Sequence, residues 1–156
     1  MYANGEGIAQ DEKQAIYWYQ KAADQGVAVA QFNLGVIYAH GEGVAQDDKQ
    51  AVYWYQQSAD QGIAVAQSNL GLMYANGKGV PQDYQQAIYW YQKAAEQGDA
   101  DAQNNLGIMY ANGSGVTQDY RQAIYWYQKA ADQGHTNAQF NLKGMYNKDK
   151  SVEKFS

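Results

Sequence analysis

The chain has 156 residues, 46% of them hydrophobic and 14% aromatic, with a formal net charge of −5 and no cysteine. Its 11 Lys and Arg are scattered singly, which excludes the concentrated basic field that a nucleic-acid surface needs. Without cysteine there is no disulfide framework, thiolate catalysis or cysteine-based zinc site, and with no run of 18 apolar residues nothing inserts into a membrane.

The first five residues, Met1-Tyr2-Ala3-Asn4-Gly5, repeat at Met73 to Gly77 and again at Met109 to Gly113. The chain is therefore expected to open in the last turn of a helix, as a piece of a longer array would, and a signal peptide of such a parent would not be visible. A Gly5/Gly7 loop follows, then a helix over about 12–25, with Asp11 and Gln14 in the spacing of a capping box. Trp18 sits between Tyr17 and Tyr19, and the same triplet returns around Trp54, Trp90 and Trp126, always at an interval of 36 residues. Ala15 to Gly26 is repeated letter for letter at Ala123 to Gly134.

Within each period two amphipathic stretches alternate with glycine punctuation. In the first, Ala30, Leu34 and Tyr38 fall at i, i+4 and i+8, one stripe of a helix. In the second, from about Asp48 to Gln61, Ala51, Trp54, Tyr55, Ser58 and Ala59 share one face. Asp47/Gln50, Asp83/Gln86 and Asp119/Gln122 repeat the capping spacing, and Gly26, Gly62, Gly98 and Gly134 stand where a helix needs a left-handed stop. Loops of the Gly41-Glu42-Gly43 kind reverse the chain. Asn-Gly at Asn4, Asn76 and Asn112 reads as a hairpin turn in isolation, but the helical periods on both sides overrule it. Small residues facing Tyr and Trp are what close helix packing requires.

The boundaries follow: a partial repeat over 1–26, full repeats over 27–62, 63–98 and 99–134, a partial repeat over 135–146, and a polar tail over 147–156, expected to fray. Lys143 replaces the glycine of Gly35, Gly71 and Gly107, so it should loosen the last helix or turn outward. Trp18 and Tyr19 lack the helix that should cover them, which makes the exposed ends a route to a homo-oligomer.

The patterns Ala-Gln-x-Asn-Leu-Gly-x-x-Tyr, Gly-x-Gly-Val and Ala-x-x-Trp-Tyr-x-x-Ala-Ala-x-x-Gly resemble the Sel1-like repeat family, relatives of the tetratricopeptide repeat. The resemblance covers 1–146. It implies an all-α fold: an α/α right-handed superhelical solenoid of about eight helices, with the first helix of each pair on the concave side. It also implies a bacterial scaffold or adaptor for a protein or peptide. Family members are often secreted or periplasmic, but this sequence leaves the compartment open.

By analogy with that concave face, the partner-binding candidates are Val29, Phe32, Asn33 and Val36, then Val65, Ser68, Asn69 and Leu72, then Asp101, Asn104, Asn105 and Ile108. Ala39, Ala75 and Ala111 continue the three sets. The competing reading packs these residues against one another, and the recurring Asn33, Asn69, Asn105 and Asn141 are read first as bridges between helices. Gln31, Gln67, Gln103 and Gln139 recur beside them. A second candidate surface is the ladder Tyr17, Tyr53, Tyr89 and Tyr125, which either meets a partner or covers its own helix pair. No catalytic residue, metal site or cofactor is expected. His40 and His135 are unrelated in the repeat, and Asp99-Ala100-Asp101 lacks the glycine and glutamate of a calcium loop. Two other readings compete with the scaffold: a β-lactam-binding or hydrolysing enzyme, as described for cysteine-rich relatives, and a structural fragment with no binding of its own.

Overall fold

The computed structural model describes residues 6–148, with side chains from Gln10 onward. Among them are eight α-helices and no strand. The fold class is all-α, a helix-pair repeat of the solenoid kind. The chain divides into two compact units, Met1–Gln82 and Asp83–Ser156.

The first unit holds α1 (Glu6–Asp24), α2 (Ala28–His40), α3 (Asp48–Asp60) and α4 (Ala64–Asn76), each packed on the one before it. The second holds α5 (Tyr84–Glu96), α6 (Ala100–Asn112), α7 (Tyr120–Asp132) and α8 (Thr136–Lys148), packed in the same succession. We call the even-numbered helices A helices and the odd-numbered ones B helices.

The residues that start and stop these helices act as their chemistry requires. Asp47 Oδ1 accepts from the amides of Lys49 and Gln50, each at 3.1 Å, and Asp83 and Asp119 do the same for α5 and α7. Such a cap is worth about 1 kcal/mol. Each loop between an A helix and the next B helix is pinned by its glutamine: Gln46 donates to the Ala39 carbonyl, Gln82 to Ala75 and Gln118 to Ala111. Gly41 and Gly113 close their A helices at φ 69° and 68°, a left-handed conformation that a β-carbon resists.

Burial follows the periodicity. On α3 the buried residues are Ala51, Trp54, Tyr55, Ser58 and Ala59, the face drawn from the sequence. Leu34, Leu70 and Leu106 are fully buried, each contributing about 2 kcal/mol through apolar area removed from water. The aromatic rings need glycine opposite them. A β-carbon at Gly35 would stand 2.5 Å from Tyr55 Cδ1, and one at Gly107 would stand 2.7 Å from Tyr127 Cδ1.

Three expectations change. Helix α1 begins at Glu6, so Asp11 lies inside a helix and caps nothing, and the segment expected as a loop before it is helical from Glu6 on. In the other copies that loop is held by contacts such as Asp47 N–H to the Tyr38 carbonyl; the equivalent acceptor, Tyr2, lies outside the described residues, as does the expected helix turn over 1–5. The tail was placed from 147, yet Asn147 and Lys148 continue α8; the rest, 149–156, lies outside the described residues. Lys143 resolves one of its two alternatives: it points outward and is exposed.

Candidate functional site

In the first unit the candidate residues line two cavities that are the same niche one repeat apart. The first, of about 290 Å3, has Tyr19 of α1 and Asn33, Val36 and Ile37 of α2 in its walls, with Glu12 and Glu42 at the rim. The second, of about 380 Å3, has Tyr55 of α3 and Asn69, Leu72 and Met73 of α4, with Asp48 and Lys78 in the rim positions. Each pair of equivalent residues differs by one period: Tyr19 and Tyr55, Asn33 and Asn69, Val36 and Leu72, Glu42 and Lys78. The walls are therefore constant in kind while the rim changes charge, from two carboxylates to a carboxylate and an ammonium.

In the second unit a niche of the same type, of about 480 Å3, is lined by Ile108 and Asn112 of α6, Tyr127 of α7, and Asn141, Gly144 and Met145 of α8. Gly144 stands where Leu72 stands in the niche above, which opens one wall. Phe140 flanks it at 78% exposure.

Buried phenols, Tyr55 and Tyr127, stand in the second niche and in that of the second unit, whereas Tyr19 in the first is half-buried. Burial pushes the Tyr55 hydroxyl above its usual range, and the Asn69 side chain, which hydrogen-bonds to it, pulls it partly back. Asn69 thus bridges α3 and α4, as the recurring asparagine was expected to do. On α8, Asn141 Nδ2 donates to Asn104 Oδ1 at 3.0 Å.

A second set of amides holds helix to helix. Gln31 Nε2 donates to the Ala23 carbonyl, Gln67 to Ala59, Gln103 to Ala95 and Gln139 to Ala131. Gln61 Nε2 in turn meets Gln31 Oε1 and the Gly26 carbonyl, and Gln133 repeats this with Gln103 and Gly98. The recurring glutamines are thereby assigned to structure.

These features match known proteins. The Sel1 repeat profile matches residues 1–27, 28–63, 64–99 and 100–135 in succession. The chain belongs to the Sel1 repeat family. A protective antigen of uropathogenic Escherichia coli strains with an SLR fold is 45% identical over 86% of this chain and 29% of its own, with a TM-score of 0.84. A Sel1 repeat protein from Oxalobacter formigenes is 43% identical over 86% of this chain and 55% of its own, at TM-score 0.80. Cysteine rich protein B of Helicobacter pylori is 26% identical over 89% of this chain and 100% of its own, at 0.67. A search of curated proteins finds no match. The chain thus spans well under two thirds of the length of the first two structures.

Within these Sel1 repeats the remaining candidates fall into three groups. Val29, Val65, Leu72 and Asp101 are exposed, and Asn33, Val36, Asn69, Asn105 and Ile108 are half-buried. Phe32 is half-buried with its ring 6.0 Å from that of Tyr55. Ser68 and Asn104 are buried at 5% and 6% exposure, so neither offers a surface to a partner. Their position faces inward within the repeat, and in Asn104 the polar group is already used by Asn141.

Tyr17, Tyr53, Tyr89 and Tyr125 are about half exposed, each edge-on to the next residue's indole at 4.8 to 5.2 Å. Lys21, Lys93 and Lys129 lie over three of these rings, whereas Tyr53 has Gln57 at the matching position. His135 caps α8: its Nδ1 accepts the Ala138 amide, so its Nε2 carries the proton that meets Asp101 Oδ1 at 2.8 Å. Asp99 caps α6 by accepting from Ala102 N–H, which accounts for the Asp99-Ala100-Asp101 run. Among the described residues no group of His, Asp and Glu could hold a metal, and no helix is long and apolar enough to cross a membrane.

Sequence reasoning passed over Glu12, Glu42, Asp48 and Lys78. The signal was present, since position 42 reads Glu, then Lys78, then Ser114 in otherwise similar copies, but those residues were assigned to a reversing loop.

The buried phenols set a pH limit on the fold. Burial pushes Tyr127 from 10.0 up to about 12 and raises Tyr91 further. Above pH 10 the unfolded chain releases these protons while the folded one keeps them, so stability falls as pH rises toward 12. Urea midpoints taken across this alkaline range should drop steadily, and Tyr127→Phe should flatten part of the slope. A pH-independent midpoint would contradict the assignment.

Proposed function

We propose that this chain, as Sel1-repeat proteins generally are, is a protein-interaction scaffold. It holds an extended segment of a protein partner along α2 and α4 of the first unit, with side chains of that segment entering the two successive niches there. The observation that carries this reading is the repetition of one niche with a variable rim: the Glu12/Glu42 pair in the first and Asp48/Lys78 in the second. Constant walls of Tyr, Asn and an aliphatic residue suit any peptide backbone and apolar stem, and rim charge distinguishes one side chain from the next. The Tyr ladder is less suited, because three of its four rings are already engaged by lysine.

Peptides selected from a random displayed library against the immobilised chain test the proposal. Leu72 is 45% exposed, so Leu72→Glu should leave the fold intact while weakening selected peptides by about tenfold or more, as expected of a contact at the centre of an interface. Tyr53→Ala, on the other surface, should leave affinity unchanged. If the library yields no binder, or binders are lost with Tyr53 and kept with Leu72→Glu, the A-helix niches are not the site.

A further inference from the structure

The two ends of the described fold carry matching residues at most of the positions that join a B helix to an A helix. Helix α1 is a B helix with no A helix before it among the described residues, and it carries the same Ala15, Trp18, Tyr19 and Ala22 that α7 carries as Ala123, Trp126, Tyr127 and Ala130. On α7 these four are buried; on α1 Trp18 is 63% exposed. Helix α8 is an A helix with no B helix after it among the described residues. Its Ala138, Leu142 and Met145 match the Ala30, Leu34 and Ile37 that pack with Trp54. The hydrogen-bonding groups correspond as well. Gln61 donates to Gly26 and Gln31; the equivalent donor, just past the end of α1, is Gln25, and the equivalent acceptors are Gly134 and Gln139. The α1 of a second copy would therefore continue the repeat on α8, a head-to-tail contact that joins copies in succession.

The exception is Lys143. Wherever a B helix seats on an A helix within a unit, its tyrosine ring lies against glycine: Tyr55 on Gly35 and Tyr127 on Gly107, at distances that leave no room for a β-carbon. On α8 that position is lysine, and the glycine has moved one residue on, to Gly144. We propose that Lys143 is a stop that bars a further B helix, and with it the α1 of a second copy, from seating on α8. The block comes from the β-carbon itself, so shortening the side chain does not lift it. Any oligomer of the unaltered chain is then confined to contacts other than this head-to-tail seat.

Sedimentation velocity of the full chain over a wide concentration series tests this, with Lys143→Gly/Gly144→Ile restoring the order found at Gly107-Ile108. The double variant should grow with concentration, raising its average mass by about twofold or more, as an open heterologous contact does. Adding Trp18→Lys should reverse that growth. Lys143→Ala/Gly144→Ile, which keeps a β-carbon and favours helix more than the glycine variant, should behave like the unaltered chain. Circular dichroism on each protein confirms that α8 persists. The proposal is overturned if the unaltered chain already grows in a Trp18-dependent way. It is equally overturned if the alanine variant grows as the glycine variant does, or if the folded glycine variant does not grow.

Discussion

Trp54→Ala should lower the stability of the protein by about 3–5 kcal/mol, the usual cost of removing a large aromatic from a packed core. Trp54 is 7% exposed and sits among Ala23, Ala30, Leu34 and Ile37, supplied by two preceding helices that cannot both collapse into the space it leaves. Trp18→Ala makes the same chemical change in the same motif and should stay within about 0.5 kcal/mol of the unaltered protein, because a side chain 63% exposed loses little on truncation. Urea denaturation of the two variants side by side isolates packing from composition. Trp54→Phe adds a further arm. The indole N–H of Trp54 is buried without a hydrogen-bond partner, so phenylalanine loses some contact area but also removes an uncompensated donor. It should recover most of the loss. Equal losses at positions 18 and 54 would mean that α1 buries Trp18 in solution.

Gly107→Ala should also destabilise, by about 2 kcal/mol, although alanine is the better helix former by about 1 kcal/mol. The β-carbon would press on Tyr127 at 2.7 Å and stand 3.2 Å from the Ala123 carbonyl, so ring and backbone would both have to move. Gly35→Ala should behave alike against Tyr55. Lys143→Ala, at the equivalent place on α8, should be neutral or slightly stabilising, since Lys143 is exposed with no ring over it. Thermal unfolding of the three variants gives opposite signs at positions that a repeat alignment treats as one. A stabilised Gly107→Ala protein would show that the tyrosine ring can yield.

Most of the fold is legible because each 36-residue copy restates it. The spacing of Ala51, Trp54, Tyr55, Ser58 and Ala59 delivers the buried face of α3 directly, and Asp47 caps as its position demands. What failed is instructive. Asp11 has the same spacing to Gln14 as Asp47 has to Gln50, yet it caps nothing, because a cap also needs a preceding loop held in place by an A helix. Ser68 and Asn104 stand at the position of Phe32, so the concave-face analogy that named all three as candidates placed a surface where geometry makes an interior. The niches were reached from the concave-face analogy through Asn33, Val36, Asn69 and Leu72. Their rims were missed because Glu42 and Lys78 come near Glu12 and Asp48 only after the loop folds back over the N-terminus of the earlier B helix, a proximity no local pattern displays.

The amide network has a consequence for how such a chain changes over generations. Its side-chain bonds between helices join residues from 8 apart, as in Gln31 to Ala23, up to 37 apart, as in Asn141 to Asn104. Each interface is thus written entirely within adjoining copies. A duplication or deletion of one whole period would return the recurring glutamine donors to carbonyl acceptors of the same kind. Repeat number is then a trait the fold itself tolerates changing, whereas a copy with lysine at the position of Gly35 and Gly107 is costly wherever a tyrosine ring must seat on it.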